Sequence, residues 1–115
     1  MIPIAIIGAG GWGTALAITM ARTRIDAGDV RLWAHEPYLV ETIIATGENP
    51  IYLPSIRVPA SVRVSNSLEE VLGGARIVIV AVPSHVYRQV FSQMLPLLNA
   101  DMFFVSAAKG IAAAR

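Results

Sequence analysis

The chain has 115 residues, of which 55% are hydrophobic and 15% charged, with a formal net charge of +1; that is one domain's worth, able to bury roughly two-thirds of its unfolded surface. So balanced a charge leaves no field to gather nucleic acid or anionic lipid, and neither is expected as a partner. The lack of cysteine excludes disulfides, thiolate metal sites and cysteine nucleophiles, and suits a reducing cytoplasm.

Residues 2–21 carry no charge, which raises the question of a signal peptide or membrane anchor. Neither is expected: a signal needs a basic stretch before its apolar core, and glycines at 8, 10, 11 and 13 make a poor spanning helix. The first strand-like run is Ile2 to Ile7. It ends in Gly8-Ala9-Gly10-Gly11-Trp12-Gly13, after which alanine-rich helical spacing runs from Trp12 to Thr23, with Leu16 and Met20 on one face. Glycines at 8, 10 and 13, between strand and helix, are a dinucleotide-binding fingerprint in its required setting. The first permits a tight turn, the second lets a pyrophosphate approach the backbone, and the third lets helix and strand pack closely. The N–H groups at the helix start would face the phosphates.

The turn at residues 24–29 leads to a second run, Val30 to Trp33. An acidic residue about 20 positions after the glycines commonly receives the ribose hydroxyls in such folds. Trp33 stands there instead, followed by Ala34-His35-Glu36. An imidazole in place of a carboxylate leans toward NADPH, while Glu36 keeps NADH open; His35 reads equally well as a solvated loop residue. Residues 47–60, with Pro50, Pro54 and Pro59, read as a long ordered loop. Within it Tyr52 could reach a ligand or pin the loop, and Arg57 is an ambiguous cation. Trp12 reads as a core aromatic by residue type, with a wall of the ligand crevice as the alternative.

Val62 to Ser65 is the third run. Ser67-Leu68-Glu69-Glu70 then reads as a capping box, Ser67 capping and Glu70 reaching back, with Gly73-Gly74 ending the short helix. Ile77 to Val82 is apolar without alternation, as in a strand covered on both faces. Ser84 is placed to cap the next helix, where Val86, Val90 and Met94 recur until Pro96, and His85 reads as a surface residue. The last run is Met102 to Ser106. Lys109, the sole lysine, follows it and could bind an anion or polarise a carbonyl; by position alone it is an exposed strand-end lysine.

Strands alternating with helices predict an α/β fold, a Rossmann-type doubly wound parallel sheet of order 3-2-1-4-5. The crevice then lies at the carboxyl ends of strands one and four, lined by Gly8 to Gly13 and Val82-Pro83-Ser84. Paired carboxylates, a nucleophile with its base and a metal-ligand cluster are not evident, so no metal is expected.

Beyond the glycines, the motifs as a set resemble the amino-terminal part of the bacterial-type NAD(P)-dependent sn-glycerol-3-phosphate dehydrogenases. Residues 8–17 are similar to GAGSWGTALA, with Gly11 in place of the serine. Residues 31–37 resemble the family's RLWxRDP or LWGHDP stretch, Asn49 to Pro54 its NPxYLP, Val80 to Ser84 its VAVPS, and Ser106 to Ile111 its SATKGI. The resemblance implies an oxidoreductase that moves hydride from NAD(P)H to dihydroxyacetone phosphate, giving sn-glycerol 3-phosphate for phospholipid synthesis. It implies cofactor contacts at Gly8, Gly10, Gly11, Trp12, Gly13, His35, Pro83 and Lys109, the last also touching substrate. Residues 1–115 would then be an incomplete NAD(P)-binding domain, short of the last strands of its own sheet and stopping before a helical domain that holds the general acid/base lysine. On that reading the piece has no catalytic residue of its own and does not turn over alone. A sheet edge left uncovered makes a homodimer a candidate assembly. Two other readings stay open. One is the cofactor domain of another two-domain NAD(P)-dependent reductase, and the other a dinucleotide-sensing module that is not an enzyme.

Overall fold

A computed structural model describes residues 2–23 and 29–106. Strand β1 (Ile4–Ile7) leads to α1 (Gly11–Thr23), β2 (Val30–Trp33) and α2 (Pro37–Thr46). A short hairpin, β3 (Glu48–Asn49) and β4 (Leu53–Arg57), precedes β5 (Arg63–Ser65) and α3 (Leu68–Leu72). Then come β6 (Ile77–Val80), α4 (Ser84–Met94), a 3-10 turn at Leu95–Leu97, and β7 (Phe103–Ser106). The main sheet runs β5-β2-β1-β6-β7, all parallel. Counting only its own strands in chain order, this is the expected 3-2-1-4-5; the hairpin adds two strands in a separate antiparallel sheet.

The unalternating apolar strands follow from a sheet buried on both faces. Ile4, Ile6, Val30, Leu32 and Ile79 pack with Ala17, Leu39 and Ile43 under α1 and α2. Ala5, Ile7, Trp33, Val78 and Val80 pack with Val71, Val90 and Met94 under α3 and α4. Successive residues thus point to opposite cores, and both cores are apolar. Trp33 is buried on the second face, the packing role its strand position allows. Helices leaving β1 and β6 lie on opposite faces, so the carboxyl ends of these adjacent strands diverge into a crevice.

Three local readings change. Residues 47–60 are not simply a loop: Glu48 pairs with Arg57 and Asn49 with Leu53, because the chain reverses tightly at Pro50 to Tyr52. Arg57 lies against Gly47 and donates to the Thr46 carbonyl at 3.4 Å, at the carboxyl end of α2 where a cation is favoured. Ser67 does cap α3, accepting the Glu70 N–H at 3.2 Å, but Glu70 does not return the bond. Its carboxylate instead accepts from the Ser65 hydroxyl at 2.7 Å, and the Ser67 N–H donates to Ser65 Oγ at 3.0 Å. Ser84 is the first residue of α4 rather than its cap; Pro83 holds that position, with no side-chain capping bond.

Arg31 is a buried cation in a central strand, 6% exposed. It holds Asp29 through Nε at 3.1 Å and Nη2 at 2.8 Å, and donates Nη1 to the Val71 carbonyl at 2.9 Å and to that of Gly73. Arg63 adds a second pairing to Asp29 at 2.9 Å. These partners compensate the desolvation that a buried guanidinium would otherwise suffer. No helix among the described residues is long and apolar enough to cross a membrane.

Candidate functional site

Immediately past β1 the backbone turns at Gly8, whose φ is +123°. A Cβ there would also stand 2.8 Å from the Ala81 carbonyl oxygen at the end of β6, so glycine is required twice over. At Gly13 a Cβ would fall 1.8 Å from the Gly8 carbonyl oxygen, which is the close helix–strand packing expected of the third glycine.

Gly10 is different, because a Cβ there would meet no protein atom within 4 Å. Neither helix packing nor the turn demands glycine at that point, and the space above it opens onto the start of α1. The Thr14 N–H is already bound to the Gly10 carbonyl at 3.0 Å. Helix geometry leaves the N–H groups of Gly11, Trp12 and Gly13 without intrahelical acceptors. The vacant position beside unpaired donors fits an anionic group such as a pyrophosphate.

A cleft of ≈ 370 Å³ lies here, lined by residues 10–12, Tyr52 and residues 81–85. Trp12 is 49% exposed and Tyr52 44%, so Trp12 is a wall of the cleft rather than the core aromatic its residue type favours. The cause is its place in the first turn of α1, where the buried positions belong to Gly13 and Thr14. Tyr52 is pinned through its backbone N–H, which donates to Asn49 Oδ1 at 3.2 Å, and it lines the cleft as well. Pro83 lines the cleft, and His85, exposed as expected, does too.

His35 is exposed just past β2, its ring centroid 5.8 Å from that of Trp33. It stands on the sheet edge that carries the glycine loop but does not line the cleft. Glu36 caps α2 with its backbone, its carbonyl accepting from the N–H groups of Leu39 and Val40, and makes no side-chain capping bond. Lys109 lies outside the described residues; Ser106, three positions before it, pairs with Val80 at the same edge.

A larger hollow of ≈ 600 Å³ lies along β5, between Arg31, Ile44 and Glu70. Its charged groups already have partners: Arg31 holds Asp29 and two carbonyls, Arg63 holds Asp29, and Glu70 holds Ser65. The smaller cleft offers the unpaired helix N–H groups, and it is the better ligand site.

Two buried polar residues of this region escape sequence reading. Asn49 and Thr14 are both fully buried, and Asn49 donates to the Thr14 hydroxyl at 2.9 Å and to the Ala9 carbonyl at 2.8 Å. The available signal was an asparagine just before Pro50 in a turn; nothing local says that it reaches a glycine loop some 40 positions earlier.

Residues 3–115 match the family described as NAD-dependent glycerol-3-phosphate dehydrogenase N-terminus. The chain is 51% identical over 111 residues to a glycerol-3-phosphate dehydrogenase [NAD(P)+] of Koribacter versatilis, covering 96% of this chain and 32% of that protein. A protein of the same name from Desulfotalea psychrophila is 47% identical over 108 residues, covering 94% and 31%. Among solved structures, the glycerol-3-phosphate dehydrogenase of Coxiella burnetii superposes with a TM-score of 0.85 at 37% identity, over 94% of this chain and 32% of that one. The chain thus spans about a third of the length of these relatives. With the parallel sheet, the fingerprint turn and the matched length in agreement, the chain belongs to the amino-terminal family of the NAD-dependent glycerol-3-phosphate dehydrogenases.

Proposed function

We propose that this chain is the NAD(P)H-binding domain of a glycerol-3-phosphate dehydrogenase, which reduces dihydroxyacetone phosphate to sn-glycerol 3-phosphate. The open position at Gly10, beside the helix N–H groups, carries this reading. When bound, the nicotinamide supplies the hydride. The chain's own part is to seat the pyrophosphate on Gly10 to Gly13, and to screen the site from water with Trp12, Tyr52 and Pro83.

Hydride arriving at a ketone carbon builds negative charge on its oxygen, which needs a donor or a cation beside it. Lys109 takes that role in this proposal, contacting cofactor and substrate, and the general acid/base comes from the part of the enzyme beyond this chain. His35 contacts the adenosine ribose. The enzyme works in the cytoplasm and feeds phospholipid synthesis. A homodimer is the proposed assembly.

The test is made in the full-length enzyme. Lys109→Ala should lower dihydroxyacetone-phosphate-dependent oxidation of NADPH by about a hundredfold or more, the scale of losing one oxyanion-stabilising group. Near-normal turnover would return Lys109 to an exposed strand-end lysine.

A further inference from the structure

The glycine turn and the tip of the β3–β4 hairpin are far apart in sequence, and one side chain holds them together. Asn49 is 0% exposed and uses its whole amide. Its two N–H groups donate to the Ala9 carbonyl at 2.8 Å and to Thr14 Oγ1 at 2.9 Å, while its Oδ1 accepts the Tyr52 N–H at 3.2 Å. Ala9 stands between the first two fingerprint glycines, and Thr14 is the residue whose N–H closes the first turn of α1 onto Gly10. Asn49 therefore grips both ends of the turn that presents N–H groups to the cleft. Through Tyr52 it also sets the cleft's outer wall, whose carbonyl oxygen lies 3.0 Å from where a Gly11 Cβ would be.

Packing alone would be served by an apolar side chain of the same size. A buried amide with every group bonded fixes orientation as well, because each partner left behind would be an unsatisfied polar group. Asn49 does not itself line the cleft. We propose that Asn49 is a positioning residue for dinucleotide binding, acting through Ala9, Thr14 and Tyr52 to hold the pyrophosphate turn and the Tyr52 wall in one register. This rests on the dinucleotide-binding reading above.

The test uses the 115-residue chain in a Trp33→Phe background, which leaves Trp12 as the one tryptophan of the chain and a reporter inside the cleft. Asn49→Ala, Thr14→Val and, as a control remote from the cleft, Ser67→Ala are titrated with NADH and NADPH well below their unfolding temperatures. Asn49→Ala should raise the dissociation constant by about tenfold or more and leave Trp12 more open to acrylamide quenching. Thr14→Val, which keeps volume and removes one acceptor, should shift both in the same direction by less. Ser67→Ala should unfold earlier yet bind as the parent does, which separates positioning from general stability. A folded Asn49→Ala that binds within about twofold of the parent, with Trp12 quenching unchanged, overturns the positioning role and leaves dinucleotide binding intact. If the unsubstituted chain binds neither cofactor, the same titrations are made in the full-length enzyme, and failure there overturns both. Should Asn49→Ala not fold, Thr14→Val decides: weaker binding supports the role, and unchanged binding overturns it.

Discussion

Glycines 8, 10 and 13 look alike in sequence but answer to three different constraints. Gly13 is held by contact, since an added Cβ would overlap the Gly8 carbonyl oxygen, and Gly8 by its positive φ as well. Gly10 faces open space, so no contact among the described residues requires glycine there. Gly13→Ala should therefore lower stability by about 3 kcal/mol, and Gly10→Ala, which costs only the N-cap preference for glycine over alanine, by about 1 kcal/mol or less, as read from urea unfolding. Equal losses at the two positions would remove the distinction. The fingerprint glycines were legible because backbone demands are local, a turn and a close approach written in consecutive residues. Asn49 and Thr14 were not, because their meaning lies in a contact across 35 positions. Trp12 was read toward the core because an indole is apolar in composition; its exposure follows from the helix phase, which residue type does not give.

Among the elements, the alternation of strands and helices came through because a parallel sheet covered on both faces needs unbroken apolar strands, such as β6. The hairpin did not, since β3 has only two residues and β4 carries exposed ones, leaving no periodicity to read. Arg31 ties two elements by joining Asp29 before β2 to the carbonyls that end α3, and Arg63 of β5 adds a third by joining the same carboxylate. Hydrogen bonds from Arg31, opposed by partial burial and helped by Arg63, lower the Asp29 pKa from 3.8 to about 2. A folded-state pKa below the unfolded one means stability that is complete above about pH 4 and lost as pH falls toward about 2. Asp29→Asn should remove up to about 2 kcal/mol at neutral pH. It should also flatten the acid limb of the stability profile, measured by urea unfolding across that window. An acid limb as steep as the parent's would mean that other carboxylates carry it.

For the whole molecule, the order of the parallel strands puts β1 beside β6, and this one adjacency brings the glycine turn, Trp12 and Pro83 around a common cleft while the hairpin adds Tyr52. That juxtaposition was legible in the sequence only through fold topology, and the family match agrees with it. The measurement that bears most directly on the account is calorimetric titration of the chain and of Gly10→Val with NADPH and NADH. Saturable binding to the parent, with Gly10→Val still folded but weaker by about thirtyfold or more, is the expected result, since valine would fill the space left for the pyrophosphate. Equal affinity of the two proteins would contradict it, because the open position at Gly10 would then not be where the cofactor lies.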